Sequence, residues 1–113
     1  VIKFCALPFA NQFELALHFE KHGRKFGLLP GQEAEYERMA DEFLFGDMPP
    51  RVKQCIRANG IDRLRFCFRR TFFGVACLIP ECVRTFYPPE DEVIIARGGN
   101  AAFFRFECGR VIL

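Results

Sequence analysis

The sequence predicts an α+β domain in which helices come first and an antiparallel meander follows. Three observations carry that expectation. Residues 11–45 hold two stretches with apolar side chains at helical spacing, residues 59–60 are Asn-Gly, and Leu64, Phe66 and Phe68 alternate with Arg63, Arg65 and Cys67. The 113 residues fit one domain over positions 1–113, and half of them are hydrophobic, which excludes a disordered chain. Fifteen phenylalanines and no tryptophan predict an aromatic core. No apolar run approaches the roughly 20 residues of a membrane span, and the N-terminus lacks the charged-then-apolar layout of a signal peptide. Valine at position 1 suggests a piece of a longer chain.

Taken in order, residues 1–9 (VIKFCALPF) read as a short edge strand or a linker packed onto the domain. Asn11 followed by Glu14 is a capping-box pattern that starts the first helix. Leu15, Phe19, His22 and Phe26 form one stripe and Phe13, Ala16 and Leu17 another, so this helix is expected to be buried on more than one side. Gly23 or Gly27 ends it. Pro30-Gly31 opens the second helix, in which Tyr36, Met39, Ala40, Phe43 and Leu44 keep the apolar spacing. Acids fill its first turn and Gly46 follows its last.

After Pro49-Pro50 the pattern changes. Val52 to Arg57 fits a strand or a helical turn, and Asn59-Gly60 predicts a type I′ hairpin, which needs positive φ at both central positions. The alternation around Phe66 predicts a half-buried strand. A turn at Arg70-Thr71 would set Phe68 opposite Phe73 and Phe66 opposite Val75. Phe72 to Leu78 is the third strand, Ile79-Pro80-Glu81 a turn and Cys82 to Tyr87 the fourth strand. Val93 to Ala96 fits a short strand. Asn100 fits the cap of a last helix from Ala101 to about Cys108, although Phe103, Phe104, Arg105 and Phe106 fit a strand as well.

The net charge of +2 decides little. Its distribution says more: residues 33–47 carry six of the 14 acids, while Arg51, Lys53, Arg57, Arg63, Arg65, Arg69 and Arg70 follow. A basic second half would attract a polyanion such as nucleic acid, unless these are only solvated strand faces. The six cysteines sit in apolar or strand-like runs and are expected to be reduced, with room for one bridge. Cys77 and Cys82 are placed to face each other across a hairpin. No CxxC pair exists, so the spacing carries no zinc signature.

Two constellations bear chemistry. In His18-Phe-Glu-Lys-His-Gly-Arg-Lys-Phe-Gly27, helical spacing puts His18, Lys21 and His22 on one side. The glutamate does not directly follow the first histidine, so the metalloprotease pattern fails, and a lysine between two ligands repels a metal. Two imidazoles at a helix C-terminus suit proton transfer, one neutral and one protonated; the plain alternative is a helix tail with surface histidines. In Arg84-Thr85-Phe86-Tyr87, the arginine suits a phosphate. Adjacent strand residues face opposite ways, so Arg84 and Thr85 are not expected to point into one site together, whereas Thr85 and Tyr87 share a face.

HFEKHGRKFG, YERMADEFL, VKQCIRANG, FFGV, VRTFYPP and FFRFECGR follow one another as an ordered series of short motifs through residues 13–110. Together they resemble the C-terminal toxin domains of bacterial polymorphic and contact-dependent growth-inhibition systems, within the barnase–EndoU–colicin–RelE group of ribonucleases. The resemblance implies N-terminal helices on a central antiparallel sheet. It also implies metal-independent RNA cleavage without a cofactor, often of tRNA, and a cognate immunity protein. Delivery would be by secretion or from the cell surface, as the end of a larger protein, with action in the target cell's cytoplasm. By position it assigns His18, His22, Arg84 and Thr85 to catalysis and Lys21 and Tyr87 to substrate binding, where the basic hairpin adds Arg63 and Arg65. The turn after Arg69 is not Asn/Asp-rich, and Leu78-Ile-Pro-Glu81 replaces a Gly-containing hairpin. The rival expectations are a non-catalytic RNA- or protein-binding module and an interaction domain that uses the acidic helix.

Overall fold

Two helices, a four-stranded meander and two further helices follow one another in the computed structural model, which describes residues 9–68, 72–79 and 81–110. The expectations for residues 1–8 and for the turn at Arg70-Thr71 lie outside the described residues. Helix α1 (Gln12–His22) starts where Asn11 Oδ1 accepts the Glu14 N–H at 2.8 Å, as the capping pattern requires. It continues as a 3-10 turn, Gly23–Phe26, and ends at Gly27 in the left-handed region with φ 78°, so both candidate stops are used in succession. The second stripe does not become buried: Phe13 is 71% exposed and Ala16 is exposed. The neighbours of α1 are α2 and β4, and they cover one side of it.

Helix α2 (Glu33–Phe45) buries Tyr36, Ala40 and Leu44, as its periodicity predicts. Strands β1 (Val52–Ile56), β2 (Asp62–Cys67), β3 (Phe72–Leu78) and β4 (Glu81–Tyr87) form an antiparallel sheet in the order β1-β2-β3-β4. The Asn59-Gly60 hairpin is present with a longer loop than the two-residue turn expected. Arg57 N–H donates to Asp62 O at 2.8 Å, leaving four residues in the loop. Asn59 Oδ1 accepts the N–H groups of Ile61 and Asp62, and Gly60 has φ 76°. The asparagine side chain thus replaces a backbone partner.

Between β2 and β3 the register sets Phe66 opposite Phe73 and Leu64 opposite Val75, two residues from the predicted pairing. An even shift leaves every side chain on its predicted face. The sheet has a core on each side. On one, Tyr36, Ala40 and Leu44 of α2 meet Ala76, Val83 and Phe86, and Tyr36 Oη donates to Phe86 O. On the other, Leu64, Phe66, Phe73 and Val75 meet Ile94 and Phe103. Strand β2 is therefore buried on both faces from Leu64 to Cys67, where its alternation predicted a half-buried strand.

The second core is closed by helices α3 (Asp91–Arg97) and α4 (Asn100–Gly109). Val93 to Ala96 belong to α3, which corrects the strand expectation. Asp91 and Glu92 sit in its first turn and Gly98 ends it with φ 103°, both favouring a helix over the β-branched run. Asn100 is not the cap of α4; Gly99 holds that place, and Asn100 Nδ2 donates to Phe68 O at 3.4 Å. A disulfide joins Cys55 of β1 to Cys108 of α4, so the Cys77–Cys82 pair is not the bridged one. Beside it, buried Arg57 donates from Nε to Glu107 O at 2.9 Å and from Nη2 to Glu107 Oε1 at 2.8 Å. On the opposite face, a Cβ at Gly74 would stand 2.9 Å from Leu44 Cδ2, so a larger residue there would have to displace the Leu44 side chain that α2 packs on β3.

Candidate active site

Helix α1 runs beside edge strand β4, and its last turns place a row of rings there. Phe9 lies 5.4 Å from His18, His18 lies 5.9 Å from His22, and His22 stacks on Tyr87 at 4.9 Å between ring centroids. His18 Nε2 approaches Glu14 Oε2 at 3.8 Å. Among the described residues, the buried Nδ1 atoms of His18 and His22 have no hydrogen-bond partner. No hydrogen bond therefore fixes either tautomer at Nδ1. Lys21 is exposed on the same helix, and Lys25, one turn further, pairs with Glu90 at 3.7 Å.

Burial and neighbouring cations set the electrostatics. Burial is the largest influence on His22, and Lys25, His18 and Lys21 add to it, lowering its pKa to about 4. His18 is also lowered, first by burial, while Glu14 raises it and Lys21 lowers it. The helix terminus was expected to favour a charged imidazole; desolvation dominates instead, and the predicted neutral–protonated pair becomes two imidazoles that resist protonation. Tyr87 is raised, chiefly by burial, and so keeps its proton.

The structure brings His18, His22, Lys21 and Tyr87 together and turns Arg84 elsewhere. Val75 pairs with Thr85 and Ala76 with Val83, so Arg84 is the extra residue of a β-bulge. Its Nε donates to Asp62 Oδ1 at 2.6 Å, which draws the guanidinium across β3 towards β2 and away from α1. Buried Asp62 also accepts from Asn59 Nδ2 at 2.8 Å. The bulge corrects one expectation: Thr85 lies opposite Val75, on the face where Arg84 meets Asp62, so Arg84 and Thr85 do share a side. Thr85 and Tyr87 share a face as predicted.

Arg63 and Arg65 are placed as scaffold, a correction to their reading as a substrate-binding surface. Arg65 Nη1 donates to Phe43 O at 3.1 Å and Gly46 O at 2.9 Å, and its Nε to Gln54 Oε1 at 2.8 Å. Arg63 Nη2 donates to Leu44 O, with its guanidinium over the Phe45 ring. The last turn of α2 carries no base of its own, and these two arginines satisfy the carbonyls at its C-terminus. Sequence alternation shows which arginines share a face, not which helix covers that face.

Other features did not stand out in the sequence. Glu14 and Asp62 are the carboxylates that engage His18 and Arg84; Glu14 stands one helical turn before His18, at i,i+4 spacing, whereas no spacing motif links Asp62 to Arg84. A cavity of about 840 Å³ lies over Met39, Phe43, Phe72 and Phe86, rimmed by Glu35, Arg38, Glu42 and Arg51. None of the sequence-predicted site residues lines it. Among the described residues, no group of three or more His, Cys, Asp or Glu side chains is arranged to hold a metal ion. No helix among them is long and apolar enough to cross a membrane.

The chain matches no protein-family model and no curated protein.

Proposed function

We propose that the chain is a metal-independent endoribonuclease of the toxin type, with tRNA as its foremost substrate. The observation that carries this reading is the pair of half-buried imidazoles stacked against Tyr87 beside exposed Lys21. His22 is neutral at physiological pH and takes the proton of the ribose 2′-OH, whose oxygen attacks the adjacent phosphorus. His18 faces Glu14, which works against the burial that lowers its pKa, and in its minor protonated form it gives a proton to the leaving 5′-oxygen. The product carries a 2′,3′-cyclic phosphate. Lys21 offsets charge on the phosphorane and the Tyr87 hydroxyl donates to it. Arg84 and Thr85 join once substrate phosphate replaces Asp62 as the arginine's partner.

The resemblance to interbacterial toxin domains supplies the biological setting: delivery on a larger protein, action in a target-cell cytoplasm, and an immunity protein with an acidic face for the Lys21 side. The binding-module alternative drew on the hairpin arginines, and Arg63 and Arg65 are committed to α2. Incubation with total tRNA in EDTA tests the reading. Discrete fragments with cyclic phosphate ends are expected, and His22→Ala should lower the rate by about 10²–10⁴-fold. Intact tRNA, or a His18→Ala/His22→Ala chain as fast as the parent, would end it.

A further inference from the structure

The tip of the β3–β4 hairpin holds a pair of side chains that the proposed cleavage does not use. Cys77 and Cys82 are directly opposed in the antiparallel register and form a small buried cluster apart from both cores. Both are thiols, in contrast to the bridged Cys55 and Cys108. Directly opposed residues on antiparallel strands have Cα atoms roughly 4.5–5.5 Å apart, within the roughly 4.4–6.8 Å that a disulfide spans.

A cation stands beside the pair: Arg84 lies two residues beyond Cys82 on β4, and its Nε donates to Asp62 Oδ1 at 2.6 Å. Asp62 pairs with Cys77 and Cys77 with Cys82 across three strands, so the Arg84–Asp62 ion pair closes one side of the dithiol. The Cys77 thiol donates to Ile79 O at 3.3 Å, which orients it at the turn. Cys77 and Cys82 are themselves 4% and 8% exposed, with Ile79 beside them 75% exposed, so a small reagent reaches them by local opening of the hairpin tip.

We propose that Cys77 and Cys82 are a reactive dithiol that reduces a small organic disulfide and closes into a second intramolecular bridge. One cysteine thiolate attacks a sulfur of the reagent, forming a mixed disulfide and expelling a small thiolate. The other cysteine, as thiolate, then attacks the protein sulfur of that mixed disulfide. The Cys77–Cys82 bond forms and a second small thiolate leaves. Two protein thiols are oxidised, one small disulfide is reduced to two thiols, and the two cysteine protons end on the released thiols.

The test uses a folded chain carrying Cys5→Ser and Cys67→Ser, exposed to hydroxyethyl disulfide without denaturant. The expected result is loss of both remaining titratable thiols with release of two small thiols per chain, and peptide mapping that joins residues 77 and 82. In the same background, Cys82→Ser should stop at a mixed disulfide on Cys77, and Cys77→Ser at one on Cys82. Retention of both thiols in the folded chain, with oxidation appearing only in urea, overturns the proposal. Mapping that joins either residue to Cys55 or Cys108 overturns it too.

Discussion

On the β1 side of the sheet, α4 is fastened by the Cys55–Cys108 bond and by Arg57, whose guanidinium meets both the carbonyl and the carboxylate of Glu107. On the β4 side, the last turns of α1 meet their neighbours through a row of rings, with no covalent bond: Phe9 on His18, His18 on His22 and His22 on Tyr87. Two ring nitrogens there have no partner among the described residues. Both regions bury polar groups, and they differ in how those groups are satisfied. A buried charge with its hydrogen bonds complete belongs to the scaffold. A buried imidazole left incomplete calls for another explanation, and a proton-transfer site supplies one.

Removing the carboxylate from the satisfied side should have the largest effect. Glu107→Ala leaves Arg57, 3% exposed, buried without its counter-charge, and should cost about 3–5 kcal/mol in urea unfolding. If it costs no more than His22→Ala, the contrast between the two sides is lost. Next comes Cys55→Ser, which opens a link between residues 53 positions apart and should cost about 2–4 kcal/mol. The same measurement in reductant should bring the parent chain down to the variant.

Acid should act on the other side. His22 has a pKa near 4 in the folded chain and 6.5 as its reference value, so between these values the unfolded chain binds a proton that the folded chain refuses. Stability should therefore fall as pH drops from about 6.5 to about 4 and gain nothing from His22 at higher pH. His18, also lowered, acts in the same direction. In the His18→Ala/His22→Ala chain this slope should flatten; an unchanged slope would place the titration elsewhere. The smallest effect is expected at the start of α1, where Asn11→Ala removes the acceptor for Glu14 N–H and should cost about 1 kcal/mol.

The meander and the first two helices were legible because alternation and helical spacing are properties of single segments. Phe72 to Leu78 and the Asn11 cap needed no partner to be recognised. Three features needed knowledge of distant segments. Val93-Ile94-Ile95 favours a strand by propensity, yet a helix forms where Ile94 meets Phe103. The bulge at Arg84 leaves no trace in Val-Arg-Thr-Phe-Tyr, since an extra residue changes pairing and not composition. The partner of Cys55 lies in α4, and spacing alone does not determine disulfide connectivity. At the candidate site, the helical spacing of His18, Lys21 and His22 located the cluster. Its protonation was misjudged because burial depends on Tyr87 and Phe9, which spacing does not place.

Gly74 and Leu44 constrain the order in which this sequence could change over generations. A methyl group at position 74 would press on the Leu44 side chain at 2.9 Å, and α2 has little freedom to retreat while Arg63 holds Leu44 O and Arg65 holds Phe43 O and Gly46 O. Alanine at 74 thus comes more easily to a lineage that has first trimmed position 44 than to one that must displace the Leu44 side chain. Read backwards, a descendant with a larger residue at 74 should carry a smaller one at 44, so the two positions drift as one unit although 30 residues of chain separate them.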